Sequence, residues 1–144
     1  METSNKDFYY KARELEKINI YSHEGIRFLD WEEDFELINQ YYIDAFGITD
    51  MQRHNDGDAV KVVALVINNK IVSQSVILTI RENELEIGAV STIDSERNKG
   101  YSRAVVSAAA KYIIEQGTIA SLTTGSNNFP MQRVAELVGM ERVL

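Results

Sequence analysis

Apolar residues recur along the chain at two spacings, and the switches between them mark its elements. The clearest helical stripe is Tyr101, Ala104, Val105, Ala108, Ala109, Tyr112 and Ile113, at i, i+3, i+4, i+7, i+8, i+11 and i+12, with Gly117 as its stop. A second stripe, Trp31, Phe35, Ile38, Tyr42 and Ala45 or Phe46, opens on Asp30 with Glu33 in a capping-box spacing and closes at Gly47. Between the stripes, Val60–Ile67 is β-branched and apolar and reads as a central strand. Asn68-Asn69 is a hairpin turn, Ile71–Ile80 the returning strand, Glu82-Asn83 a second turn and Glu84–Ile93 a third strand. Ile119–Thr123 is a short strand, expected to run parallel to Glu84–Ile93 through a right-handed crossover. Asn128 then caps a last helix, Phe129–Val138, with Pro130 near its start and Gly139 at its end. At the N-terminus, Phe8, Ala12 and Leu15 give Asp7–Lys17 a weak helical pattern, and Ile18 and Ile20 alternate as a short strand. The pattern predicts an N-terminal extension over residues 1–17 and one mixed α/β domain, α+β-like, over 18–144.

Composition narrows the function classes. A chain of 144 residues is long enough for one core without covalent staples, and the absence of cysteine removes disulfides, thiolate metal sites and a cysteine nucleophile. The net charge of −7, from 22 acids and 15 bases, argues against a nucleic-acid partner. No apolar run reaches membrane-spanning length and Met1–Lys6 lacks a signal-peptide core, so no membrane partner is expected and a cytoplasmic location is. The two histidines, His23 and His54, stand far apart, and no metal constellation is visible. Against this acidic background Arg97, Lys99 and Arg103 cluster around Gly100 where the first stripe begins. A strand, then a cationic glycine-bearing turn, then a helix start is a recipe for an anion site, because the first helical N–H groups lack internal partners and the helix dipole is positive there.

The stretch Arg97-Asn98-Lys99-Gly100-Tyr101-Ser102 resembles the pyrophosphate loop of the GNAT superfamily of N-acetyltransferases, of the form Arg/Gln-x-x-Gly-x-Gly/Ala, with serine in the last place. The resemblance runs from about Ile18 to Met140. It implies a central mixed sheet with an antiparallel meander, a V-shaped splay between two parallel strands, and helices on both faces. It implies acetyl-CoA as cosubstrate and no metal. The backbone of Val90 and Thr92 would pair with the pantetheine arm and polarise the thioester carbonyl. Amides from Asn98 to Ser102 would hold the diphosphate beside Arg97, and Asn128 would lie near the pantetheine. Glu86 stands fourteen residues before Gly100, where histone-acetylating members carry their glutamate base, with Glu84 as the fallback. Strand alternation puts Glu84, Glu86, Gly88, Val90 and Thr92 on one face unless a bulge at Gly88 intervenes.

Two positions depart from the family pattern. Ala135 stands where many members carry a tyrosine that protonates the leaving thiolate, and Tyr101 and Tyr112 are not obvious replacements. The family also continues into a terminal strand pair, so Glu141–Leu144 reads as a short remnant strand, or the acceptor pocket is open or completed by a second subunit. The expected activity is N-acetyl transfer from acetyl-CoA to a primary amine, on a small-molecule or peptide acceptor, with Glu86 as base directly or through water; a homodimer is also expected. The alternative is a non-catalytic acyl-CoA-binding module on the same fold. A general nucleotide binder is disfavoured, because neither Gly-x-x-x-x-Gly-Lys-Ser/Thr nor Gly-x-Gly-x-x-Gly occurs.

Overall fold

The computed structural model describes residues 6–55 and 57–143. Its strands are β1 (Asp7–Ala12), β2 (Ile26–Leu29), β3 (Ala59–Ile67), β4 (Lys70–Arg81), β5 (Glu84–Thr92), β6 (Ile119–Gly125) and β7 (Glu141–Val143). Its helices are α1 (Phe35–Phe46), α2 (Tyr101–Glu115) and α3 (Phe129–Val138). All seven strands form one mixed sheet in the order β2-β3-β4-β5-β6-β1-β7. The expected fold class is therefore observed, with β3-β4-β5 as the meander. The Asn68-Asn69 turn has φ of 52° and 63°, the left-handed pair that a two-residue hairpin requires.

The sheet divides the core into two layers. On one face Val63, Leu65, Ile77, Ile87, Ala120 and Leu122 pack under α2 and α3, whose Val105, Ala109, Ile113, Ala135 and Val138 are fully buried. The alanines of α2 let its axis lie close to the strands. On the other face Val62, Ala64, Val66, Ile71 and Val76 pack under α1 through Ile38 and Tyr41. Helix α1 sits on β4, and among the described residues no helix packs substantially on β6, β1 or β7 on that side.

Three expectations change. Asp7–Lys17 is not helical: Asp7–Ala12 is strand β1, followed by a 3-10 turn at Leu15–Lys17. Tyr10 and Ala12 point into the α2–α3 layer with Phe8 behind them, and β1 pairs antiparallel with β6 from Asp7↔Gly125 to Ala12↔Ala120. The N-terminal segment is thus part of the sheet, and β7 pairs with its outer edge, Tyr9↔Val143 to Lys11↔Glu141. The expected remnant strand is β7, with Leu144 outside the described residues. Second, Ile18–Ile20 is not a strand. Ile18 is buried in the core and Asn19 is tied by its N–H to the Val138 carbonyl, while the edge strand is Ile26–Leu29. Third, Asp30 caps a turn rather than the helix itself. Its Oδ1 accepts from the N–H groups of Glu32 and Glu33, Asp34 returns the bond to the Asp30 N–H, and α1 begins at Phe35.

Candidate active site

Strands β5 and β6 run parallel but pair over only three positions, Glu84↔Ile119, Leu85↔Ala120 and Glu86↔Ser121. Each then continues, to Thr92 and to Gly125, without further pairing to the other, which is the splay that the sequence resemblance implied. The cause lies in β5. Gly88 opposes Val76 and Ser91 opposes Gln74, so Ala89 and Val90 together face Ser75 in a two-against-one bulge. The bulge is one residue later than expected, at Ala89, which takes φ 50°, a left-handed conformation costing a non-glycine residue about 1–2 kcal/mol.

The bulge also reverses the phase of the strand. Glu84, Glu86 and Gly88 share the α1 face with Leu78 and Val76, but Val90 packs into the α2 layer and Thr92 bonds Ser73 Oγ at 2.8 Å and Ser102 Oγ at 3.0 Å. Val90 and Thr92 are therefore not on the face of Glu86, as unbroken alternation would have it.

A buried polar cluster fixes the bulge. Gln74, 1% exposed, donates from Nε2 to the Ala89 carbonyl at 2.5 Å and to Ser91 Oγ at 3.3 Å. Ser91 Oγ also bonds the Tyr41 hydroxyl at 2.7 Å, and the Tyr42 hydroxyl reaches Gln74 Oε1 at 3.5 Å. Burial raises the pKa of both tyrosines above the usual phenol value, so their hydroxyls stay protonated. The signal was present in the sequence as Ser73-Gln74-Ser75, a polar run inside an apolar strand. All three side chains are buried, and the Ser75 hydroxyl has no partner among the described residues.

Above the splay the chain makes a 3-10 turn at Asp94–Glu96 and enters α2 through Asn98 (φ 65°) and Gly100 (φ 79°). The first backbone bond of the helix is Ala104 N–H to the Gly100 carbonyl, and among the described residues no N–H from Asn98 to Arg103 meets a backbone acceptor. Six successive free amides at a helix start fit an anionic group such as a diphosphate. The cations are not equivalent. Arg97 pairs with Asp94 at 3.1 Å and Lys99 with Glu96 at 2.9 Å, both as exposed i,i+3 pairs. The Lys99 pKa is raised by its hydrogen bond and charge contact with Glu96. Arg103 makes no ion pair among the described residues. Its guanidinium stacks on Tyr21 at 5.2 Å and lies 2.7 Å from where a Cβ on Gly100 would be.

Glu86 is half-buried, and its Oε2 accepts from Thr123 Oγ1 at 3.0 Å, across the point where β5 and β6 part. Glu84 is engaged elsewhere. It is 6% exposed and salt-bridged to Lys11 of β1 at 3.1 Å. Burial pushes its pKa up, but the Lys11 ammonium, the Ser121 hydroxyl and the Arg81 charge together outweigh this and hold it below the usual carboxylate value. The Ser121 hydroxyl helps from nearby without a well-formed hydrogen bond. Asn128 uses its Oδ1 to cap α3 at the Met131 N–H, 3.2 Å, at the C-terminal end of β6. Ala135 is fully buried, and its methyl carries no proton to donate. Tyr101 and Tyr112 turn to the β2 side, where Tyr101 meets His23 edge-on and Tyr112 stacks on Phe28. His54 is exposed beside Glu32. Among the described residues no cluster of three or more His, Cys, Asp or Glu could hold a metal, and no helix is long and apolar enough to cross a membrane.

Residues 23–140, most of the chain, match the Acetyltransferase (GNAT) family. The chain belongs to the GNAT acetyltransferase family. No curated protein matches it by sequence. Among solved structures it is similar to a GCN5-related N-acetyltransferase from Kribbella flavida, with 20% identity, a TM-score of 0.68, 96% of this chain and 54% of the other covered. It is also similar to a GNAT-family acetyltransferase from Colwellia psychrerythraea, with 14% identity, a TM-score of 0.69, and 98% and 55% covered. A ribosomal-protein-alanine N-acetyltransferase from Escherichia coli shares 13% identity with a TM-score of 0.60, and 79% and 75% are covered. At these identities the likeness is one of fold. The chain spans 54–59% of the length of the first three structures that it resembles. As a GNAT domain it shows the splay between two parallel strands and a run of free amides where α2 begins.

Proposed function

We propose that this domain transfers an acetyl group from acetyl-CoA to a primary amine. The observation that carries the reading is the run of free amides from Asn98 to Arg103 beside a strand that has just left its parallel neighbour. Those amides and the Arg103 guanidinium would take the diphosphate, and the splay would admit the pantetheine, with Asn128 at its β6 side. The bound cosubstrate supplies an activated acetyl thioester. The Val90 N–H, at the bulge, donates to its carbonyl oxygen, and a fixed backbone donor stabilises negative charge there without reorganising.

The amine must be neutral when its lone pair attacks the carbonyl carbon. Glu86 takes that proton directly or through one water, with Thr123 holding one carboxylate oxygen so that the other faces the acceptor. As the carbon–sulfur bond breaks, the thiolate leaves and water protonates it, since Ala135 offers nothing. The acceptor approaches over the α1 side of β6 and β1, where no helix among the described residues covers the sheet and Tyr9 and Thr123 are exposed. Its acidic, aromatic surroundings suit a cationic small molecule or a peptide amine. The test is release of free thiol from acetyl-CoA across a panel of amines, with wild type and Glu86→Gln. Turnover that falls about 10²-fold in the variant supports the base role. Binding of acetyl-CoA without turnover for any amine selects the second reading, a non-catalytic acyl-CoA-binding module, which the buried alanine at position 135 favours.

A further inference from the structure

Buried amides and hydroxyls in the middle of a sheet need a reason, because each must be fully paired to avoid a desolvation cost. Gln74, Ser91 and Tyr41 form such a group around the bulge: Gln74 bonds the carbonyl of the strained residue Ala89 and the Ser91 hydroxyl, which also meets the Tyr41 hydroxyl. We propose that Gln74 is a positioning residue for acyl transfer: it holds the Ala89 carbonyl on the α1 side and thereby aims the Val90 N–H at the carbonyl oxygen of the acyl donor. The proposal rests on the acetyl-transfer reading above.

The link from side chain to N–H is geometric. No described peptide bond is cis, and in a planar trans peptide the C=O and the following N–H point in opposite directions. Gln74 lies opposite Ala64 and Ser91, on the α1 face of the sheet. A carbonyl of Ala89 fixed toward Gln74 therefore turns the Val90 N–H away from α1, to the side from which α2 and the free amides of its first turn approach. Neither Ala89 nor Val90 has a register partner in β4, so the ladder does not set this peptide plane. The amide end of Gln74 is set in turn. Its oxygen facing the Ala89 carbonyl would repel it, and the Tyr42 hydroxyl lies on the oxygen side instead. Ser91, bonded to both Gln74 and Tyr41, ties the far end of the bulge to α1. Gln74 is too deeply buried to touch the substrate, and acts through the peptide alone.

The experiment uses the whole chain and compares wild type with Gln74→Met, close in volume but unable to donate, and with Tyr41→Phe, which loses one hydroxyl and should fold without difficulty. Ile77→Val, in the same strand and equally buried, is the control for simple loss of stability. The proposal expects kcat for thiol release to fall by at least about tenfold in Gln74→Met and by less in Tyr41→Phe, with the acetyl-CoA Kd changed by no more than about threefold. Hydrogen exchange at the Val90 amide should quicken in both variants, and Ile77→Val should lower Tm with kcat unchanged. If wild type turns over and both variants keep kcat within about twofold, the clamp is wrong while the acetyl-transfer reading stands. A kcat loss in Ile77→Val matching that in Gln74→Met also overturns it, since stability alone would then explain the effect. Absence of acetyl-CoA turnover in wild type would show itself before any variant is compared, and would overturn the reading and the positioning role together.

Discussion

Replacing Lys11 by Met removes the ammonium that is salt-bridged to a buried carboxylate. Glu84 is 6% exposed and Lys11 keeps its stem packed along the sheet, so Met preserves the apolar contact and deletes only the charge. Breaking a buried pair from one side costs about 3–5 kcal/mol, but the Lys11 side chain is 28% exposed, and water at that end brings the expectation to about 2–3 kcal/mol. For a chain of this length the unfolding entropy is about 0.3 kcal/mol per degree, so Tm at pH 7 should fall by roughly 7–10 °C. The loss should depend on pH with a definite sign. In wild type the folded Glu84 pKa is depressed, so the pair's contribution is fully present above the unfolded value of about 4.3 and fades as pH falls through the lower folded value. In the variant only the Ser121 hydroxyl and the Arg81 charge still oppose desolvation, so the folded pKa rises relative to wild type, and the gap between the two proteins is widest at neutral pH and closes toward about pH 4. Thermal melts by circular dichroism between pH 4 and 8 read this directly. A shift at pH 7 below about 2 °C, or a gap that does not narrow in acid, would refute both the pairing and the docking of β1 that creates it.

Other predictions concern the site. Arg103→Gln should weaken acetyl-CoA binding about tenfold and flatten its salt dependence, more than Arg97→Gln or Lys99→Gln, whose charges are already paired; calorimetry at two salt concentrations separates the three. Ser75→Ala removes a buried hydroxyl with no partner among the described residues and should raise stability by up to about 1 kcal/mol with kcat and KM unchanged; a higher KM would place that hydroxyl against the substrate.

Most of the scaffold was legible because its periods were unambiguous. The α2 stripe, the Asn68-Asn69 turn and the Asn128 cap each follow from residues adjacent in sequence. The N-terminal strand was not, for a reason visible in its spacing. Phe8 and Ala12 are four apart, which satisfies a helical stripe and a strand face equally. The residue that decides is Tyr10, which lies off the helical stripe and proves fully buried. Ile18 and Ile20 misled in another way, since Ile18 is buried by an irregular segment held against the end of α3. At the site, the loop motif gave the position of the free amides, but side-chain partners over long sequence separations could not be read. The bulge was expected at a glycine and occurs at Ala89, because Gln74, fifteen residues earlier, stabilises a backbone conformation that alanine disfavours. The pairing of Glu84 with Lys11, across 73 residues, was hidden for the same reason, and it separates two acids that the strand pattern left equivalent.

The account depends most on the free amides at the start of α2, and Gly100 is where they are most easily blocked. Any side chain at its φ of 79° is strained, a Cβ there would press on the Arg103 guanidinium, and a carboxylate would oppose the diphosphate. Calorimetric titration of acetyl-CoA into wild type and Gly100→Glu, with ATP as competitor, tests this directly. Binding by the wild type that ATP displaces poorly, and that disappears in a Gly100→Glu protein with a near-wild-type melting curve, is the predicted result. Equal acetyl-CoA affinity in the two proteins would contradict it.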